Sequence, residues 1–285
     1  MKLKPPRIGL DWSEAAEPLA LAALFVGYSN ALAIWAQSRG RFPEALFRRL
    51  NPLVMLGMLA YASSRPGGIR STGLRSRGLT RSIGEGITTG VGLSILPLLF
   101  FRRPVLLDTP LEYGPVSKMT RSEMLEDVLL SVPVGIALFE ELAFRGLLYS
   151  ALRRSYSVRT SVLGSAAAFA AWHLAVTYTS AVQTNIAETL RVPERARPVV
   201  TPLVLPATVV GGMLTTGLAG IIFALLRERH RNLAGPILAH WIVDGLMIAA
   251  LWARSNPVRP TRPLTEEEEE RFDLGDEAMA EALTS

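Results

Sequence analysis

The chain has no cysteine, which excludes disulfides, thiolate catalysis and cysteine-ligated zinc. Histidine is nearly as scarce, with three in 285 residues. No His-Glu-x-x-His helix occurs, and Asp244 follows Val243 instead of a Gly-x-Gly, so the zinc-helix and the Gly-x-Gly-Asp aspartyl motifs are both missing. Nor do 30 Lys+Arg against 25 Asp+Glu, a net charge of +5, describe a nucleic-acid surface. The arginines flank apolar runs, as positive-inside topology requires, and no nucleic-acid partner is expected.

What the chain has in plenty is long apolar runs, near 16–37, 51–64, 84–101, 126–149, 160–182, 206–226 and 233–253. A bilayer core of roughly 30 Å takes about 20 apolar residues per helix, because only helices and closed barrels satisfy their backbone groups in lipid. The sequence therefore predicts an all-α, polytopic transmembrane helical bundle of about seven membrane-embedded helices. Such a protein is integral and multi-pass, is expected in the cell membrane, and has the lipid bilayer as its first partner. Asp11, Glu14 and Glu17 precede the first run where a signal peptide would carry basic residues, so that run reads as a retained helix. The run at 51–64 is short for a span and is equally compatible with a re-entrant or interfacial helix. Gly86 and Gly90, four apart, predict a close helix approach.

Three regions are expected: N-terminal membrane helices and basic loops over 1–110, a catalytic membrane core over 111–253, and an acidic, disordered tail over 254–285 with Glu266 to Glu270 in one block. The proline-bearing stretch from 183 to 205 reads as a connector. Arg153, Arg154 and Arg159 after the fourth run, and Arg227, Arg229 and Arg231 after the sixth, are expected on one, cytoplasmic side. Arg39, Arg41, Arg48 and Arg49 conflict with that assignment if the second run spans.

An ionisable side chain at the centre of a membrane helix costs roughly 2.5–3.5 kcal/mol, so each must be paired, wet or functional. The fourth run holds Glu140, Glu141 and Arg145, the fifth His173, and the seventh His240 and Asp244. Glu141 and Arg145 stand i,i+4 and can pair, whereas Glu140 is turned about 100° away and is left as the candidate base. Phe169 lies one turn before His173 and could restrict its ring. His240 and Asp244 are also i,i+4, so the carboxylate is expected to hold one ring nitrogen while the other faces a cavity opening toward the loops of Arg153 and Arg229.

Peptide hydrolysis within a membrane needs an activated water, a base and donors for the developing oxyanion. Glu140 and His173 could polarise the water, with His240 and Asp244 stabilising the oxyanion or protonating the leaving amine. Alternatively Glu140, His173 and His240 could ligate zinc at an open site. Ser165 could imitate a serine nucleophile, though a Gly-Ser pair in a helix is usually a packing element.

The strings Glu140-Glu141-x-x-x-Arg145, Phe169-x-x-x-His173 and His240-x-x-x-Asp244 resemble, in order and spacing, the motifs of the CAAX-protease and bacteriocin-processing family, also called the type II CAAX prenyl endopeptidase family. The resemblance covers roughly residues 120 to 253. It implies an intramembrane endopeptidase acting on membrane-associated, in some members prenylated, peptide substrates. By the resemblance the catalytic glutamate is Glu140, its partners are Glu141 and Arg145, and the histidines are His173 and His240. Asp244 stands where the family has Asn or Asp. The family has been described both as metal-dependent and as glutamate-dependent, so the cofactor is either zinc or none. Some members serve in bacteriocin immunity or as non-catalytic scaffolds, which is the alternative reading.

Overall fold

The computed structural model describes residues 12–39, 43–102, 111–189 and 192–256. The acidic tail from residue 257, with its glutamate block, lies outside them, as do Asp11 and Arg41. The described residues fold as eight main helices and a few single turns, with one isolated bridge between Tyr113 and Thr184. We number the helices α1 (Trp12–Ser38), α2 (Pro43–Ser63), α3 (Leu79–Arg102), α4 (residues 121–155), α5 (Val158–Trp172), α6 (Leu174–Val182), α7 (Arg197–His230) and α8 (Ala234–Ser255). Among the described residues five stretches are long and apolar enough to cross a membrane: Glu14–Ser38, Leu79–Leu99, Val158–Val182, Glu194–His230 and Ala234–Ser255, with Leu50–Ser63 as a shorter apolar helix. Leu24, Leu96, Leu214 and Leu218 point outward from these helices. In a polytopic membrane protein such residues meet lipid tails, which are as apolar as leucine itself.

Three boundaries differ from the sequence reading. The second helix begins at Pro43, a full two turns before the apolar run. The stretch 183–205 is not all connector, because α7 starts at Arg197 and runs for 34 residues with Pro202 and Pro206 inside it. Prolines signal loops in soluble chains, but in membrane helices neighbouring groups re-satisfy the backbone they disturb. The fourth run extends to residues 121–155 and is not a uniform α-helix. It opens on a capping box between Thr120 and Glu123, then passes through π-helix at Asp127–Ala137 and again at Leu142–Leu148. In both segments a carbonyl accepts from the fifth residue on, Pro133 from Leu138 and Phe144 from Tyr149. This wider coil frees carbonyls for side chains. Gly135 accepts from Asn51 of α2 at 2.6 Å, and Phe144 accepts from Ser165 at 3.0 Å. Ser165 is therefore a buried structural hydroxyl, far from the role of nucleophile.

The fifth run is broken at His173, which closes α5 and opens α6. An interruption at that depth would strand backbone groups, and α1 supplies the remedy. Asn30 donates Nδ2 to the Ala171 carbonyl at 2.9 Å and accepts the Ala175 N–H at 2.8 Å. One amide thus bridges the break from both sides. Asn30→Ala should lower stability by about 1–3 kcal/mol, the cost of orphaning a buried polar group. The check is a thermal-unfolding midpoint in detergent, compared with the neighbouring control Asn30→Gln.

Glycine sets the tightest helix contact. A Cβ on Gly86 would stand 2.5 Å from the Gly235 carbonyl oxygen, and one on Gly90 would stand 2.8 Å from Ile242 Cβ, so α3 and α8 approach backbone to backbone as the spacing predicted. Glu17 near the start of α1 bonds Tyr61 and Arg65 at the end of α2 and Arg154 at the end of α4, placing those three ends on one face. Arg153 lies 3.6 Å from Glu228 and Tyr149 bonds the same carboxylate, so the ends of α4 and α7 meet and the loops of Arg153 and Arg229 share that face as expected. By connectivity Arg39, at the far end of α1, lies on the opposite face, and the arginines are not confined to one side.

Candidate active site

Four helices converge at mid-depth. The core around them is aromatic, with Phe139, Phe144, Phe169 and Trp172 all buried against one another. Glu140 projects from the α-helical turn Leu138–Glu141 that separates the two π segments, His173 from the α5–α6 break, and His240 and Asp244 from successive turns of α8. Glu140 Oε2 stands 3.7 Å from His173 Nε2 and 3.8 Å from His240 Nε2. These gaps are too long for direct hydrogen bonds, and Glu140 Oε2 is buried with no hydrogen-bond partner. Its other oxygen accepts from Trp172 Nε1 at 3.1 Å, which fixes the carboxylate plane.

His173 is held twice. Its Nδ1 lies 2.8 Å from the Phe169 carbonyl, which can only accept, so the ring hydrogen sits on Nδ1 and Nε2 faces Glu140 with a lone pair. The Phe169 ring meets the imidazole edge-on at a centroid distance of 4.6 Å. Phe169 therefore restricts His173 through both its ring and its carbonyl.

His240 departs from the sequence reading. Asp244 Oδ2 does approach Nε2, at 3.2 Å, but the other nitrogen does not face the cavity. Nδ1 lies 2.9 Å from Glu141 Oε1, the same oxygen that takes Arg145 NH1 at 3.0 Å. Glu141 thus does more than neutralise Arg145 one turn on: it joins two helices. Arg145 is fully buried, and its Nε and NH2 find no hydrogen-bond partner. The guanidinium instead lies 4.0 Å from the Phe169 ring centroid and 5.4 Å from that of Phe223. Phe223 also stacks on His240 at 5.5 Å. Space for this guanidinium comes from Gly220, where a Cβ would come within 3.1 Å of Arg145 NH2.

A cavity of about 320 Å³ brings the polar atoms together, with Glu140, His173, His240 and Asp244 in its wall beside Thr215 and Thr216. Its wall continues past Ile136, Val176 and Val243, and none of the arginines of the basic loops lines it.

Among the described residues no group of three or more His, Asp or Glu side chains is placed to hold a metal ion. Zinc needs a lone pair from each donor at about 2.0–2.2 Å. Both ring nitrogens of His240 already face carboxylates, so the set Glu140, His173 and His240 does not fit a resident metal as arranged.

Sequence reasoning missed three contributors. Trp172 and Asn30 lie inside apolar runs and carry no charge, and the contact of Glu141 with His240 crosses between helices, where spacing is silent. An uncharged amide inside a span was nonetheless a visible signal, since polar side chains there need partners as charged ones do.

A helical bundle whose buried ionisable groups line one mid-depth cavity defines a multi-pass integral membrane protein with a polar site among its helices. Residues 127–246 match the family model for type II CAAX prenyl endopeptidase Rce1-like proteins, so this segment is similar to that family. The match contains all three motifs. No curated protein and no solved structure matches the chain.

Proposed function

We propose that the protein is an intramembrane endopeptidase that hydrolyses peptide bonds of membrane-associated substrates, prenylated ones among them, using Glu140, His173, His240 and Asp244. The observation that carries this reading is the buried Oε2 of Glu140, without a hydrogen bond and 3.7–3.8 Å from two imidazole nitrogens. One water placed at that point can give one hydrogen to Glu140 Oε2 and the other to His173 Nε2. Its oxygen then attacks the scissile carbonyl carbon as Glu140 takes the proton. His240, with a carboxylate at each ring nitrogen, is a donor on both sides: Glu141 orients it through Nδ1, and its single Nε2 hydrogen, directed at Asp244 before attack, is shared with the oxyanion as that charge develops. Collapse breaks the C–N bond, and the proton passes from Glu140 to the leaving amine. Glu141, Arg145 and Phe169 position the two histidines.

Reconstitution into proteoliposomes with a lipidated or transmembrane peptide tests the reading, with mass spectrometry identifying the products. Cleavage should persist after exhaustive treatment with EDTA or phenanthroline, because no step passes through a metal. Loss on chelation, restored by added zinc, would reject the metal-free route. Trp172→Phe keeps an aromatic ring in the core and removes the bond to Glu140 Oε1, so kcat should fall roughly tenfold, as loss of about one oriented hydrogen bond implies, with KM nearly unchanged. A KM effect alone would assign Trp172 to substrate contact.

A further inference from the structure

Away from the Glu140 cavity, two hollows of opposite character flank one salt bridge. Between α1, α2 and α4 runs a groove of about 620 Å³ lined mainly by apolar side chains, including Leu21, Leu24, Phe25, Val54, Met58 and Leu147. It ends at Glu17, whose carboxylate is covered by Tyr61, Arg65 and Arg154. Arg154 also lines the second hollow, a pocket of about 240 Å³ shared with Arg153, Arg227 and Arg231 and containing one acid, Glu228. Neither hollow shares a lining residue with the Glu140 cavity.

The basic pocket is built, and it is positively charged on balance. Arg227 is buried and fixed by the Ser71 and Thr72 carbonyls at 2.8 and 3.2 Å. Glu228 is engaged by the Tyr149 hydroxyl at 2.8 Å. Arg153 sends one nitrogen to the Tyr156 carbonyl, but its buried Nε makes no hydrogen bond, with Glu228 Oε2 no nearer than 3.6 Å. Arg231, exposed and left-handed at φ 49°, ends α7 at the pocket rim. The pocket lies where α4 and α7 end, beside Pro66 and Ser71 after the end of α2, at the depth of a lipid headgroup, while the groove lies along the helices at the depth of its tails.

We propose that these two hollows together hold one anionic glycerophospholipid, an acyl chain lying in the groove and its phosphate on Arg153, Arg154 and Arg231. Basic pockets between membrane helices select anionic headgroups, and a continuous apolar wall selects a chain. A zwitterionic head would bring its own cation among four guanidiniums. Glu17 does not confront the phosphate as a bare charge, because two arginines already cover it.

Native mass spectrometry of the detergent-solubilised protein, incubated with phosphatidylglycerol or with phosphatidylcholine, tests this directly. One phosphatidylglycerol should be retained, at least about fivefold in preference to phosphatidylcholine. Replacing Arg153 and Arg231 together by Gln should weaken that retention about twenty-five-fold, each arginine accounting for about fivefold. Arg231→Gln alone, at an exposed helix end, carries the fivefold test if the double variant does not fold. Gly57→Leu places a side chain in the groove from a position where a Cβ meets nothing within 4 Å, and should weaken both lipids while sparing the headgroup preference. Equal retention of the two lipids, or no change in the variants, overturns the proposal. Displacement of phosphatidylglycerol by millimolar inorganic phosphate overturns it too, by assigning the pocket to the free anion.

Discussion

Glu140→Gln should abolish cleavage, with kcat reduced by at least about a thousandfold, while the purified protein keeps its thermal midpoint in detergent. Gln retains the shape and can still accept from Trp172 Nε1 through its carbonyl oxygen, so the aromatic packing against Phe139 and Trp172 is undisturbed. What it loses is the second basic oxygen, the one that takes the proton from water. General-base removal costs roughly 10²–10⁴ in rate, and here the base also returns its proton to the leaving group, which argues for the upper half of that range. Glu140→Asp should keep a fraction of the activity, since it shortens the arm but retains the carboxylate. Full activity in Glu140→Gln would sink the enzymatic reading and favour a scaffold that uses the same fold. Steady-state cleavage in proteoliposomes, alongside unfolding curves for all three proteins, decides between them.

Arg145→Leu is the second large effect, this time on stability. Arg145 and Glu141 are both fully buried, and the pair is joined by His240 Nδ1 on the same carboxylate oxygen. Removing one partner of a buried pair leaves an uncompensated charge, which costs about 3–5 kcal/mol. The guanidinium also forfeits its place over the Phe169 and Phe223 rings, contacts worth about 0.5–2 kcal/mol each when desolvated. Single replacement should therefore leave little folded protein at ordinary expression temperature. The double variant Glu141→Gln/Arg145→Leu should recover a large part of the loss, because neither charge then remains buried. Failure of the double variant to recover anything would mean that the packing of the guanidinium, not its charge, is what the fold requires. Folded yield by size-exclusion chromatography and unfolding midpoints read the difference.

The parts of this architecture that sequence reasoning could reach are those where lipid makes a residue conspicuous. Glu140, Arg145, His173 and His240 stand out because ionisable groups are costly within apolar runs, and the runs themselves follow from bilayer thickness. Helical spacing then placed Glu141 beside Arg145 and Asp244 beside His240, and both pairs meet in the structure. Spacing says nothing about contacts between helices, which is why the Glu141 bond to His240 was not foreseen. The π segments of α4 were equally hidden, since a change of coil leaves the apolar run unchanged; Pro133, in the middle of that run, was the one local sign. The start of α7 was misplaced for the reverse reason, because prolines that would end a helix in water are carried within it here.

The amide of Asn30 has a bearing on how this molecule could be rebuilt. The matched segment begins at residue 127, yet the backbone around His173 is completed by Asn30 of α1, more than 140 positions before the carbonyl it bonds. The first helix is thus no interchangeable membrane anchor. A chimera in which it is replaced by a generic span of leucines would keep the matched segment entire and still lose the staple at the break. An exchange of N-terminal helices between proteins would succeed only where the incoming helix offers an amide at the same depth.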